Sequence, residues 1–138
     1  MAKVTGLGGV FLRARDPKAL MAWYATHLGV VPGGFGGVNF IWNECEQQEG
    51  NGMTVLSFFP LDTHYFGPAR QPAMINFRVD NLDQLLAQLR ASGVTIDPKR
   101  EDHDYGRFAW IIDAEGNRVE LWQPLKVSPR PPDEFMSA

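Results

Sequence analysis

The sequence of 138 residues is poor in several features that would assign it to a broad class. Its one cysteine, Cys45, excludes an intramolecular disulfide and favours a reducing cytoplasm. Its net charge is -3 and it has no run of Lys and Arg, so it lacks the electrostatic footprint of a nucleic-acid-binding protein. No apolar stretch approaches the roughly 20 residues that cross a bilayer, and the opening MAKVTGLGG has no signal-peptide core. We therefore expect a cytoplasmic protein that binds neither nucleic acid nor membrane.

An internal duplication is the most informative feature that is present. Residues 9–28 align with residues 74–93 at a shift of 65, and both stretches join an alternating apolar pattern to a helical one. After a one-residue slip, residues 49–60 (EGNGMTVLSFFP) align with residues 113–124 (DAEGNRVELWQP) at a shift of 64, sharing glycines and a terminal proline. A chain of two like halves usually places its site between them, so equivalent positions can be compared.

Local signals predict the same order of elements in both halves: a strand, a helix, and then two or three strands. Each helix begins after a residue that can cap it, Asp16 or Asn81, and ends before a glycine, Gly29 or Gly93. Alternating apolar residues mark the strands. The predicted strands are 5–15, 36–43 and 53–59 in the first half and 75–79, 95–97, 107–113 and 118–123 in the second.

A single domain accommodates both halves. Module one spans 5–60 and module two spans 73–124, joined by a connection at 60–72 whose aromatic residues favour a packed loop. We assign both modules to one domain over 1–126, since this length can bury a core. The proline-rich tail, 127–138, is predicted to extend over a surface or a partner chain.

The paired layout, the ending DAEGNRVELWQP and the start RARDPKALMAWYATHLGV resemble the vicinal oxygen chelate superfamily. That group holds glyoxalase I, bleomycin-resistance proteins, fosfomycin-resistance enzymes and extradiol dioxygenases. The resemblance covers residues 5–124 and implies an α+β fold. Two tandem βαβββ modules would form a cupped, barrel-like mixed sheet with helices outside and a ligand cavity inside. The resemblance also implies a homodimer.

Enzymes of that family hold a divalent metal through side chains on cavity-facing strands. Pairing the halves locates the corresponding positions at Gly9, Leu56, Met74 and Glu120. Only Glu120 offers a hard donor, because the Met74 thioether is too soft for an oxygen and nitrogen site. A catalytic site takes about three protein ligands. We therefore predict no metal and no other cofactor; the alternative is a divalent metal near Glu120.

Strand periodicity predicts a pocket with aromatic walls. If Val119 and Leu121 face the helices, Glu120 and Trp122 face the cavity. Apolar walls with a few polar groups are typical of small-molecule sites. The predicted ligand-binding residues are Phe11, Phe58, Met74, Asn76, Tyr105, Arg107, Trp110, Glu120 and Trp122.

Several assignments within this pocket stay open. On the strand at 107–113, either Phe108, Trp110 and Ile112 face inward, which we favour, or the alternate residues do. The aromatic residues are either a ligand wall or ordinary core, and Asn76 either contacts a ligand or satisfies backbone groups. In the loops at 62–68 and 101–107, the residues that either rim the mouth or anchor the loop are Tyr65, Phe66, Tyr105 and Arg107.

Glu120 has two interpretations of its own. It either forms a salt bridge with Arg107 or Arg78, or it contacts a ligand as a hydrogen-bond acceptor or general base. Without a cation beside it, its pKa should rise, because burial disfavours the charged form.

Three functions are compatible with this sequence. The one we favour is a metal-independent protein, similar to bleomycin-resistance proteins, that binds a small, largely apolar or aromatic molecule and engages it with Glu120. The second is a glyoxalase-like lyase or isomerase, of the lactoylglutathione lyase type or related, with Glu120 as catalytic base or metal ligand. In the third, side chains fill the cavity and the protein works through its dimer or a protein partner.

Overall fold

The computed structural model describes residues 1–42, 52–68 and 71–125. Its elements follow one another in the order expected for two like halves. In chain order they are β1 (Val4–Ala14), α1 (Pro17–Leu28), β2 (Val38–Ile41), β3 (Met53–Pro60), β4 (Ala73–Val79), α2 (Leu82–Ala91), β5 (Ile96–His103), β6 (Gly106–Ile112) and β7 (Arg118–Pro124). The expectations for Cys45 and for the tail at 127–138 concern residues outside these ranges.

Both helices begin where the sequence predicts. The side chain of Asp16 accepts a hydrogen bond from the backbone N–H of Ala19, and Asn81 does the same for Gln84, each over 3.0 Å. These bonds satisfy donors that the first turn of a helix leaves unpaired. Gly29 follows α1 with a φ of 72°, a left-handed conformation that glycine adopts without strain. Neither helix in the described ranges has the length and apolarity that would span a bilayer.

The strands form one mixed sheet in the order β2-β3-β1-β4-β7-β6-β5. In each half the first strand pairs in parallel with the last, β1 with β3 and β4 with β7. The halves are joined by the antiparallel pairing of β1 with β4. Module two shows the full βαβββ order, and the described part of module one shows two strands after its helix. The predicted α+β fold with a cupped mixed sheet is confirmed.

The hairpin of β5 and β6 corrects two predicted boundaries. The sequence predicts a strand at 95–97 and a loop over 101–107, but β5 runs to His103 and the turn occupies only residues 104–105. No side chain of β5 is buried, because this strand forms an edge of the sheet. Exposed edge strands carry charged residues without apolar alternation, so the periodicity that marks a strand is missing.

The two faces of the sheet bury different side chains. On the outer face, Leu121 of β7 packs with Leu82 and Leu86 of α2. The concave face buries a second set, which we call the interior cluster. Its members are Phe11, Met53, Val55, Phe59, Phe66, Met74, Tyr105, Phe108, Trp110 and Trp122. The presence of Phe108 and Trp110 confirms the favoured inward face of β6.

Candidate functional site

Glu120 is the polar centre of the concave face. Its side chain is only 1% exposed. The Tyr65 hydroxyl donates a short hydrogen bond to Oε2 of Glu120, and Nδ2 of Asn76 donates another to Oε1 over 2.6 Å. The β4–β7 register pairs Asn76 directly with Glu120, so the two side chains leave the sheet side by side. Tyr65 reaches them from the connection between β3 and β4.

Burial dominates the electrostatics of this group. It raises the pKa of the Glu120 carboxyl, while the hydrogen bonds from Tyr65 and Asn76 act in the opposite direction because they stabilise the carboxylate. Burial also raises the pKa of the Tyr65 phenol well above its usual value, and the neighbouring Glu120 adds to this shift. Tyr65 therefore remains a protonated donor toward Glu120 at physiological pH.

Neither arginine considered as a partner neutralises Glu120. Arg107 pairs instead with Asp83 of α2 over 3.2 Å, and its side chain is 40% exposed. The guanidinium of Arg78 lies over two indole rings. Among the described residues, no ion pair involves Glu120. The salt-bridge interpretation is therefore wrong.

One buried hydrogen-bond acceptor beside the Glu120 carboxylate has no donor among the described residues. Oδ1 of Asn76 has no hydrogen-bond partner among the described residues, although the side chain is only 3% exposed. The indole N–H of Trp110, which pairs with Glu120 across the β6–β7 ladder, is close enough to favour the charged carboxylate but lacks hydrogen-bond geometry. An unsatisfied buried polar atom costs roughly 1–3 kcal/mol. Two polar atoms beside Glu120, Oδ1 of Asn76 and Nε1 of Trp110, therefore form no hydrogen bond with the described residues.

Stacked aromatic rings enclose this polar group. Tyr65 stacks on Phe59 with ring centroids 5.1 Å apart and planes at 6°. Phe108 lies parallel to Trp122, with centroids 6.1 Å apart. The space beside Glu120 has a volume of about 10 Å³, which holds about one water molecule. The described side chains therefore leave little room directly beside Glu120.

The structure brings together seven of the nine predicted ligand-binding residues. Five belong to the interior cluster, and two form its polar centre. The seven are Phe11, Met74, Asn76, Tyr105, Trp110, Glu120 and Trp122. Their position on the concave face is confirmed, and their contact with a ligand stays a prediction.

Phe58 and Arg107 lie elsewhere. Phe58 packs on the outer face with Met21 of α1, so its predicted place in the cavity wall is wrong. Arg107 is directed to Asp83 on α2, away from the polar centre. Its guanidinium is held there by charge, which strand periodicity does not reveal.

The error at Phe58 has its origin in the register of the two halves. Phe11 and Asn76 are equivalent, and their parallel partners are Ser57 and Glu120. Glu120 therefore corresponds to Ser57 rather than to Leu56. Because side chains alternate between the faces of a sheet, an error of one residue reverses every assignment on that strand.

The sequence predicts Tyr65 only as a residue that rims the cavity mouth or anchors its loop. It does not predict the hydrogen bond from Tyr65 to Glu120. Its segment is fixed by Arg13, whose guanidinium donates to the backbone oxygens of Leu61, Thr63 and Gln71 over 2.6–3.0 Å. A loop residue carries no periodicity, so no pattern predicts where its side chain points. The available signal is Arg13 itself, the one charged residue of strand β1.

The residues around Glu120 do not fit the divalent metal site of the family that the sequence resembles. Gly9 has no side-chain donor, and Met74 offers only a soft thioether. Both oxygens of Glu120 already accept hydrogen bonds from Tyr65 and Asn76. In the described part of the chain, no three His, Cys, Asp or Glu side chains are grouped so that they could hold an ion.

A larger depression lies outside the cup, between α2 and β5, with a volume of about 300 Å³. Its floor includes the apolar side chains of Leu86 and Ile96. Two of its charged side chains, Asp97 and Arg100, are engaged in ion pairs with groups outside it. This open groove lacks the enclosed polar centre of the cup, which is therefore the stronger candidate site.

Known proteins share this architecture. A family model described as the Glyoxalase/Bleomycin resistance protein/Dioxygenase superfamily matches residues 6–121, whereas no curated protein matches the sequence. A methylmalonyl-CoA epimerase in complex with methylmalonyl-CoA and NH4+ is 18% identical with a TM-score of 0.64, over 92% of this chain and 100% of that chain. The methylmalonyl-CoA epimerase from Mycobacterium tuberculosis is 23% identical with a TM-score of 0.59, over 98% and 93%.

A superfamily member from Vibrio splendidus 12B01 is 14% identical with a TM-score of 0.53, over 89% of this chain and 99% of that chain. At such identities the solved structures show a shared fold. The match of the family model, over most of the chain, shows the family. This protein belongs to the glyoxalase/bleomycin resistance protein/dioxygenase superfamily.

Proposed function

We propose that this protein binds a small, largely apolar or aromatic molecule in the cup, and that it does so without a metal. The carboxylate of Glu120, oriented by Tyr65 and Asn76, accepts a hydrogen bond from a cationic or other donor group of the ligand. The observation that carries the proposal is a carboxylate that is fully buried with no cation beside it in the described structure. Aromatic walls around few polar groups are the usual composition of a small-molecule site.

Energetics argue against a purely structural role for Glu120. Removing a carboxylate from water costs several kcal/mol even after the protein relaxes. Here the side chains that donate hydrogen bonds to it are neutral, Tyr65 and Asn76, and they offset only part of that cost. Oδ1 of Asn76 adds an unsatisfied acceptor in the same enclosure. A ligand that donates hydrogen bonds satisfies both acceptors.

Ligand binding directly beside Glu120 requires the surrounding side chains to move. Small-molecule sites usually enclose about 300–1,000 Å³, whereas the space beside Glu120 holds about 10 Å³. Phe35 is the side chain that we expect to move, because it is only partly buried and packs on the interior cluster from the glycine-rich turn at 33–37. A Cβ on Gly34 or Gly36 would meet no atom within 4 Å, so the two residues that flank Phe35 have space around them.

A binding screen with a matched pair of variants tests this proposal. Small aromatic amines, alcohols and acids are titrated against the protein, with intrinsic tryptophan fluorescence and calorimetry as readouts. Glu120→Gln keeps the side-chain volume and should weaken binding about tenfold or more, because hydrogen bonds to charged groups are the stronger ones. Glu115→Gln, at an exposed carboxylate in the turn before β7, makes the same charge change and should leave binding unaltered. A screen without a bound compound, or equal affinities for wild type and Glu120→Gln, contradicts the proposal.

A second candidate function is proton transfer by Glu120 in a glyoxalase-type lyase or isomerase. The observation that favours it is the raised pKa of this carboxyl, because perturbed pKa values are typical of general acids and bases. The similar structures include methylmalonyl-CoA epimerases, so methylmalonyl-CoA is the first compound to test. Incorporation of deuterium from heavy water into methylmalonyl-CoA, lost in Glu120→Gln, supports catalysis. Its absence in wild type counts against this reaction.

We also propose that the protein is a cytoplasmic homodimer. Exposed apolar side chains on β2, the outermost described strand on that side of the sheet, support an interface, since Phe40 and Ile41 are each 45% exposed. Exposed apolar patches are typical of contact surfaces. Light scattering at micromolar concentration should give twice the mass of the chain, and a monomer would overturn this proposal.

A further inference from the structure

The small space beside Glu120 is bordered by two side chains that can accept further hydrogen bonds. An ionised carboxylate has about four acceptor positions, and the described side chains donate to two of them, from Tyr65 and Asn76. Oδ1 of Asn76 accepts no bond from the described part of the chain, although this side chain is buried. Glu120 and Asn76 both line the same space. A group placed there therefore meets acceptors from both side chains.

The two cations that lie over the neighbouring indole ring of β6 are balanced by other carboxylates. Arg118 pairs with Asp97 over 2.5 Å, and Lys99 pairs with Glu101 over 3.2 Å. Within the ranges that the structure describes, neither cation forms an ion pair with Glu120. A buried carboxylate without an ion-pair partner is costly. A positively charged group in the space beside it offsets that cost.

Size and lining restrict the kind of cation that this space accepts. Its lining includes the aromatic residues Phe11, Phe108 and Trp122, and cations are attracted to aromatic rings. Its volume of about 10 Å³ holds about one water molecule. An –NH₃⁺ group is about as large as a water molecule, whereas a trimethylammonium group is several times larger and has no N–H donor. The space therefore fits a primary ammonium group better than a quaternary one.

We infer that the ligand of the cup is a primary amine whose ammonium group donates hydrogen bonds to Glu120 and to Oδ1 of Asn76. This inference rests on the proposed binding function and extends it to a class of ligand. A water molecule in the same space donates to both acceptors but leaves the charge of Glu120 uncompensated. An ammonium group supplies the donors and the charge together. Because the surrounding walls are aromatic, the remainder of the ligand is apolar or aromatic. Benzylamine has this chemistry.

The experiment compares benzylamine with benzyl alcohol and with N-methylated benzylamines by calorimetry at neutral pH. Wild type should bind the amine about tenfold or more tightly than the alcohol, because charge-assisted hydrogen bonds are the stronger ones. Affinity should fall with each methyl group from benzylamine to benzyltrimethylammonium, since each removes an N–H donor and keeps the charge. Glu120→Gln should abolish the preference for the amine by weakening its binding more than that of the alcohol. Glu115→Gln, at an exposed carboxylate, makes the same charge change and should keep the full preference.

The outcomes separate this inference from the proposed function. Equal binding of benzylamine and benzyl alcohol by wild type overturns the ammonium site and leaves the binding function in place. The same holds if benzyltrimethylammonium binds as tightly as benzylamine, or if the wider screen finds ligands but benzylamine does not bind. A screen with no ligand at all overturns both. If Glu120→Gln fails to fold by circular dichroism, the methylation series on wild type still decides, since a purely structural carboxylate would not distinguish these amines by their N–H groups.

Discussion

Asn76 and Glu120 occupy one rung of the β4–β7 ladder, and the amide of Asn76 donates to the carboxylate over 2.6 Å. The backbone pairing of the two strands holds both side chains, so the sheet itself sets this contact. Tyr65, the third polar member, comes from a loop that Arg13 fixes through backbone oxygens. Secondary structure thus positions two members of the polar centre, and tertiary contacts position the third.

Replacing Asn76 by leucine removes one of the donors that satisfy the buried carboxylate. We expect Asn76→Leu to lower the free energy of unfolding at neutral pH by about 1–3 kcal/mol, measured by urea denaturation. In a background of Glu120→Met, which has no charge to satisfy, the same change should cost little. Strictly additive effects of the two substitutions would show that the side chains are not coupled.

The raised pKa of Glu120 should make the stability of the protein decrease as the pH rises. Because burial raises its pKa in the folded protein, the folded state binds more protons than the unfolded state between the two pKa values. Its contribution to stability is therefore complete below the pKa of an unfolded glutamate, about 4.3, and decreases as the pH rises toward the folded pKa. We expect urea denaturation at a series of pH values to show that the free energy of unfolding of Glu120→Gln increases relative to that of wild type as the pH rises. Parallel curves would mean that the folded pKa of Glu120 is unshifted.

Removal of the Tyr65 hydroxyl should move the pKa of Glu120 further upward. The hydrogen bond from Tyr65 opposes the effect of burial on that pKa, and Tyr65→Phe deletes the bond while keeping the ring that stacks on Phe59. The measurement is the pH titration of the labelled Glu120 carboxyl carbon by NMR. Tyr105→Phe, at another buried tyrosine of the interior cluster, is the control and should leave the titration in place. A pKa that stays constant or falls in Tyr65→Phe contradicts the assigned bond.

The parts of the fold that sequence predicts are those governed by local rules. Asp16 and Asn81 cap helices through hydrogen bonds to residues three positions away, which short-range sequence reveals. Glu120 and Trp122 face the cup because strand side chains alternate, and Leu121 next to them is apolar on the helix side. These assignments need only the residue type and its neighbours.

Strand register and ion pairs between distant residues cannot be predicted from local sequence alone. Phe58 faces α1 because the β1–β3 ladder pairs Phe11 with Ser57, and aligning two weakly similar halves does not fix a ladder to one residue. The edge strand β5 has no buried side chain and so no pattern to read. Arg107 pairs with a carboxylate on α2, 24 positions earlier in the chain. The inward direction of Tyr65 depends on hydrogen bonds from β1 to a loop.

Gly8 gives Asn76 its space, and a methyl group at this position tests how tightly the polar centre is packed. A Cβ there would lie 2.1 Å from Oδ1 of Asn76 and 3.1 Å from the ring of Trp122, and Asn76 is held by its bond to Glu120. Gly8→Ala should therefore lower the free energy of unfolding by roughly 1–3 kcal/mol and weaken binding of any ligand found in the screen. Gly34→Ala adds the same methyl group where no atom lies within 4 Å, so urea denaturation should show a change of no more than about 0.5 kcal/mol. Wild-type stability in Gly8→Ala would mean that Asn76 can leave Glu120 at little cost, and the polar centre would then not be the preorganised group that ligand binding requires.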